Sequence, residues 1–279
     1  MSARPTRAMT TEQTNDALTV IGIDFSKDPK KVGIALGVID HDGPRVESAL
    51  LGKAMQWDDI VNYAVTLIGN AEGASTLIAL DAPLGWPQGL WKELSNHHAG
   101  AVLRIHADEM FHRLTDDVVK KKLALKQNPM EVGADKIART AHHALWFLDQ
   151  VRERTGLRVP LSWTPGRVSG VEAIEVYPAA TLAGRGLPTM GYKTGVEAPV
   201  NRRDLVSKLA RIVDLGPHEK ELGENDNLLD AVLCVVAGFD FAAGDVLRPS
   251  NEASEQARRE GWIWVRLQRP DPDLSHVLR

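Results

Sequence analysis

Cysteine is almost absent from this sequence, and that narrows its chemistry. The single thiol in 279 residues, Cys234, excludes an internal disulfide and a thiolate-held metal cluster. It stands among Val232, Leu233, Val235 and Val236, a setting for packing rather than nucleophilic attack. No apolar run approaches the roughly 18–20 residues that a membrane helix needs, so no membrane partner is expected. Residues 1–16 are polar and lack the apolar core of a secretory signal. They read as a flexible N-terminal tail, and with the lone thiol they point to a cytoplasmic protein. Also missing are a Gly-rich phosphate loop ending in Lys-Ser/Thr and a G-x-G-x-x-G run. A large excess of one charge is lacking too, since the net charge of −4 does not advertise a polyanion partner.

What is present suits one large α/β domain, with 43% hydrophobic and 25% charged residues. We expect that domain over residues 17–270, with a helical insertion at about 90–170 and a C-terminal tail at 271–279. Charge is uneven along the chain. Residues 97–170 carry 12 Lys and Arg against 8 Asp and Glu, and six of the nine histidines. Such a segment can be a solvated helical face or a phosphate-contacting surface. Its lysine run, Lys120-Lys121-Lys122, and Lys126 read as solvated groups that could lend non-specific phosphate affinity.

The periodicity predicts strands over 18–24, 31–39 and 45–51, then an amphipathic helix over 57–68 and a continuously apolar strand over 76–81. Helical patterns dominate from about 90 to 150, and a strand returns over 171–177. Helices are expected over 202–213, capped by Asn201, over 224–241 and over 252–260, before a last strand at 262–267. Three antiparallel strands, a helix and a central strand form the opening of an RNase H-like mixed sheet, in which an antiparallel meander joins parallel strands flanked by helices. A doubly wound nucleotide fold would instead place a helix directly after the first strand.

Four carboxylates interrupt this apolar pattern. Asp24 and Asp81 each close a strand, Glu175 lies between Ile174 and Val176, and Asp230 opens an apolar helix face. An unpaired buried carboxylate is costly, whereas strand ends are where α/β folds place their sites. Asp24 and Asp81 also suit turn caps, and Glu175 a solvent face. Asp226, four residues before Asp230, shares its helix face and can offset the helix dipole. If the acids converge, a cation must neutralise them, and hard oxygen ligands suit Mg²⁺ or Mn²⁺. A Glu-x-x-His spacing at Glu109 and His112 has no second copy, and the pairs His97-His98 and His142-His143 are poor shared ligands. Trp86 with Trp91, and Trp146 with Phe147, read as packing residues.

Taken in order, Gly22-Ile23-Asp24, Asp81-Ala82-Pro83-Leu84-Gly85, Glu175-Val176-Tyr177-Pro178-Ala179, Asn227-Leu228-Leu229-Asp230-Ala231 and Glu260-Gly261-Trp262-Ile263 resemble the predicted nucleases of the domain of unknown function 429 family. The likeness spans about residues 18–267, and Arg113-Leu114-Thr115-Asp116 is similar to a further family element. The family is placed in the RNase H-like superfamily beside Holliday-junction resolvases. The resemblance implies a Mg²⁺- or Mn²⁺-dependent enzyme that hydrolyses phosphodiester bonds in nucleic acid, DNA or RNA. Asp24, Asp81, Glu175 and Asp230 would be catalytic, with Asp24, Asp81 and Asp230 on metal and Glu175 a fourth ligand or a partner behind them. Resolvases often carry two acids three apart on the last helix. Here Asn227 stands three before Asp230, so Asp226 is the substitute ligand. Arg113 and Lys136 would contact substrate phosphates, and the resolvase likeness implies a homodimer. Two rivals remain: a non-catalytic nucleic-acid or nucleotide binding module of the same fold, and a phosphotransferase of the actin and sugar-kinase kind. The second needs a Gly-containing phosphate loop after Asp24, where Phe25-Ser26 stands.

Overall fold

The computed structural model describes residues 17–71, 73–126, 129–133 and 135–267. The expected tails at 1–16 and 271–279 lie outside the described residues. Strands β1 (Leu18–Asp24), β2 (Gly33–Asp40) and β3 (Gly43–Leu51) precede helix α1 (Trp57–Asn70) and strand β4 (Ser75–Asp81). Helices α2 (Gln88–Leu94), α3 (Ala107–Phe111), α4 (Leu114–Leu123) and α5 (Asp135–Thr155) then lead to strand β5 (Val171–Glu175). The chain continues through α6 (Pro178–Gly184), α7 (Ala198–Leu209), α8 (Glu219–Glu224), α9 (Asp226–Ala242) and α10 (Ser254–Glu260).

The sheet is mixed, in the order β3-β2-β1-β4-β5. β1, β2 and β3 pair antiparallel, whereas β4 runs parallel to β1 and β5 parallel to β4. The β1–β4 register sets Asp24 directly beside Asp81. Because successive side chains point to opposite faces, Ile21, Ile23, Ile78 and Leu80 pack under α1 and α5. Val20, Leu77 and Ala79 pack on the other face, with α6, α7 and α9. Asp24 and Asp81 share the parity of this second set, so both turn toward α9.

Small residues bring α9 close. A Cβ on Gly22 would lie 2.3 Å from the Ala231 carbonyl oxygen, and one on Gly33 2.3 Å from that of Asn227. Only glycine fits at such an approach. The helix is buried along almost its whole length, and its one cysteine, Cys234, is buried against Ile23. Among the described residues no helix is long and apolar enough to cross a membrane.

Three local expectations are corrected. Residues 262–267 form no strand. Ile263 makes one bridge to Glu175, and the backbone N–H groups of Ile263 and Trp264 donate to Thr115 Oγ1 and the Glu175 carbonyl, so different partners replace a ladder. Asn201 caps nothing. The helix begins at Ala198, with a proline in its first turn, and the Asn201 amide donates to the Gly191 carbonyl. β5 stops at Glu175, two residues short of the expected 177, and Pro178 opens α6, where its missing N–H costs nothing.

Candidate metal centre

Asp24 ends β1, Asp81 ends β4, and Asp230 lies one turn into α9 on the face packed against both. One carboxylate oxygen from each falls within 4.8 Å of the others. Asp24 and Asp230 are buried, while Asp81 stays partly open to a cleft of about 590 Å³. Burial, then repulsion from Asp230 and Asp81, pushes the Asp24 carboxyl well above its ordinary value. Burial raises Asp81 to about 7, with the Asp230 charge adding to it. Asp230 is raised as well, chiefly by burial. Three carboxylates thus sit where their charge is poorly tolerated without a cation.

Asp230 is the best-held of the three. Its Oδ1 accepts a 2.9 Å hydrogen bond from the Tyr192 hydroxyl, and its Oδ2 forms an ion pair with the Lys193 ammonium. Burial works against the Lys193 charge, yet Asp230, Asp81 and Asp24 hold its pKa above the ordinary value. The loop carrying both residues is pinned by Arg202, whose Nη1 donates to the Tyr192 carbonyl at 2.6 Å. Lys193 itself remains half exposed. Three hard carboxylates with a lysine standing in for a cation are the donor set and the charge that a divalent ion requires.

A protein-family model described as "Protein of unknown function (DUF429)" matches residues 22–254. The chain belongs to this family. No curated protein and no solved structure matches it.

The other expected site residues of this DUF429 protein stand outside the triad. Glu175 pairs in register with Leu80 rather than Asp81, so its side chain leaves β5 on the face opposite the triad. It lines the cleft but stands outside the group of three. Its Oε2 accepts from the Leu84 N–H at 3.0 Å and from Arg113 at 2.9 Å, and its Oε1 pairs with Arg113 at 2.7 Å. Burial raises the Glu175 carboxyl, and Arg113 opposes that rise.

Arg113 corrects the expectation of a phosphate contact. Its side chain is 1% exposed, and each guanidinium nitrogen has a partner within the protein. Nε and Nη2 reach Asp116, Nη1 reaches Glu175 and the Glu260 carbonyl, and Nη2 also reaches Glu175. A guanidinium so buried and so paired is committed to the protein's own carboxylates. Glu260 completes the same knot by accepting from the N–H groups of Gln88 and Leu114, which begin α2 and α4. Arg113 therefore fastens α4 to the end of β5.

Asp226 is half-buried at the start of α9. Its charge adds to the rise at Asp24 and Asp230, but it is not among the three convergent carboxylates. Lys136 is exposed on the first turn of α5 and lines the cleft together with Lys27, Lys31, Lys126 and Lys193. Tyr192 and Lys193 escaped the sequence reading. Their only local signal is the bracket Gly191 and Gly195, both at positive φ, around an aromatic and a lysine.

Proposed function

We propose that this DUF429 protein is a divalent-metal-dependent phosphodiesterase acting on nucleic acid, with an RNase H-like arrangement of sheet and acids. The observation that carries the reading is the convergence of Asp24, Asp81 and Asp230 at the end of a cleft lined by five lysines. An acidic floor suits a cation, and a basic lining suits a polyanion, so both partners of a metal-phosphate pair have their place. The sheet order and its three-stranded antiparallel half are compatible with the RNase H-like fold. Phe25, buried behind Asp24 against Trp57 and Phe147, removes the phosphate loop that a phosphotransferase would need there.

Asp24, Asp81 and Asp230 would hold Mg²⁺ or Mn²⁺, which supplies Lewis acidity and a water of lowered pKa. Tyr192 fixes the rotamer of Asp230 through its hydroxyl. Lys193 offsets part of the triad's charge, and with a bound cation sharing that task its ammonium would be free to meet a phosphate oxygen. Lys27, Lys31, Lys126 and Lys136 draw the flanking phosphates, an attraction that weakens with salt.

The test is cleavage, with Mn²⁺, of a panel of single-stranded and duplex DNA, RNA, hybrid and branched junction by wild type and Asp24→Asn. We expect wild-type cleavage of at least one substrate and loss of a hundredfold or more in the variant. Equal cleavage by both proteins, or none with the metal site loaded, would sink the reading.

A further inference from the structure

The exposed methionines of the cleft say more about what enters it. Met130, between α4 and α5, is 65% exposed, and Met190, after α6, is 52% exposed. They come from segments 60 residues apart in sequence, yet both line the cleft that ends at the acidic triad. Neither contributes to a core at that exposure, so folding does not account for their positions. Ile137 and Tyr177, both half-buried, add apolar surface to the same cleft. Lysines stand beside each methionine in the sequence or the cleft: Lys126 and Lys136 flank Met130, and Lys193 follows Met190.

This mixture of apolar and cationic groups matches one chemical unit, an unpaired nucleotide. Thioethers lie well against aromatic rings, adapt their shape, and read no hydrogen-bond edge. Lysine ammoniums take the phosphates as point charges. A stacked, paired base has no free face to offer such a surface. The depth of the site argues the same way. Asp24 and Asp230 are at most 8% exposed, and a cleft of about 590 Å³ is in the size range of small-ligand pockets. A duplex keeps each phosphate between its neighbours on a wide, stiff rod, and sites of this depth receive such a nucleotide only when it is extruded.

We infer that the cleft takes an unpaired nucleotide, its base against Met130 and Met190 and its phosphates on the lysines, so that single strands and free nucleotides bind in preference to duplex. This deepens the nuclease reading and rests on it. Sequence preference should be weak, because Met130, Met190 and Ile137 offer no strong donor or acceptor to a base edge.

The test uses a fluorescent phosphorothioate oligonucleotide of about 20 residues, alone and annealed to its complement. Anisotropy is read with Mn²⁺ for wild type, Met130→Ala/Met190→Ala and Lys136→Ala. The single strand should bind at least tenfold more tightly than the duplex. The double methionine variant should weaken single-strand binding about tenfold, as expected for two sulfur–ring contacts, while calorimetric Mn²⁺ affinity stays unchanged. Lys136→Ala should weaken both nucleic-acid forms and reduce the salt dependence. Competition by a nucleoside monophosphate separates the two sources: displacement at micromolar concentration means that the nucleotide alone suffices, and displacement only by longer strands means that the chain is read. Equal affinity for duplex and single strand, or a methionine variant within twofold of wild type, overturns the inference. Absence of Mn²⁺ binding in the wild type would overturn the metal reading itself, a distinct result. Both methionines are exposed, so the variants should fold.

Discussion

Arg113→Met should lower the stability of the protein by about 3–5 kcal/mol, or roughly 10 °C in melting temperature for a chain of this size. The guanidinium joins Asp116, Glu175 and the Glu260 carbonyl in one buried network. Removing it leaves two buried carboxylates facing each other with no cation between them, and that is the expensive half of a buried ion pair. The loss should not stay local. Arg113 precedes α4, Glu175 ends β5, and Glu260 bonds the first N–H groups of α2 and α4. We expect α2–α4 to become the first part of the chain to exchange amide protons. Adding Glu175→Gln and Asp116→Asn should recover much of the loss, because the uncompensated charges are then gone. Urea denaturation of the single and triple variants measures both effects. A single variant within 2 °C of wild type would show that Arg113 is not the fastener described here.

Asp24→Asn should do the opposite to stability while removing metal affinity. Without metal, Asp24, Asp81 and Asp230 repel one another in a buried site, and Lys193 compensates only in part. Neutralising one acid should stabilise the metal-free protein by about 1–2 kcal/mol, the usual size of a relieved functional strain. The same physics fixes a pH dependence. Asp81 releases its proton near pH 7 in the fold but near ~4 when unfolded, and Asp24 and Asp230 are raised in the same direction. Above that lower value the folded state binds more protons, so the triad makes metal-free stability fall as pH rises from about 4 through about 7. In EDTA the melting temperature of wild type should therefore be lower at pH 8 than at pH 5, and Asp24→Asn should show a smaller drop. Saturating Mn²⁺ should raise the wild-type curve most at the alkaline end, where the acids are ionised. A metal-free melting temperature that rises across this range would contradict the assignment of a strained triad.

Much of this site was legible in the sequence, for reasons that are local. Asp24 and Asp81 stand at the ends of unmistakable apolar strands, and parallel pairing of such strands sets their ends side by side. Asp230 is a charge inside an apolar helical run, and Gly22 and Gly33 mark where that helix presses on the sheet. Other assignments depended on contacts far apart in the chain. Whether Arg113 meets a phosphate or Glu175 is decided across 62 residues, by the way α4 docks on β5. The face of Glu175 follows from its pairing with Leu80, a register that no local pattern reveals. Lys193 reaches Asp230 only because Arg202 and Asn201 tether its loop from α7. The segment 262–267 reads as a strand because it is apolar, but its N–H and C=O groups are spent on several partners, including Thr115, Glu175 and Leu247.

Calorimetric titration of Mn²⁺ into the metal-free protein at pH 8, beside Asp24→Asn and Lys193→Met, decides whether Asp24, Asp81 and Asp230 hold a cation. We expect saturable binding by wild type, at least a hundredfold weaker binding by Asp24→Asn, and binding by Lys193→Met as tight as wild type or tighter, because the competing ammonium is gone. Mn²⁺ binding that Asp24→Asn leaves unchanged, or none at all by a folded wild type, would contradict this expectation.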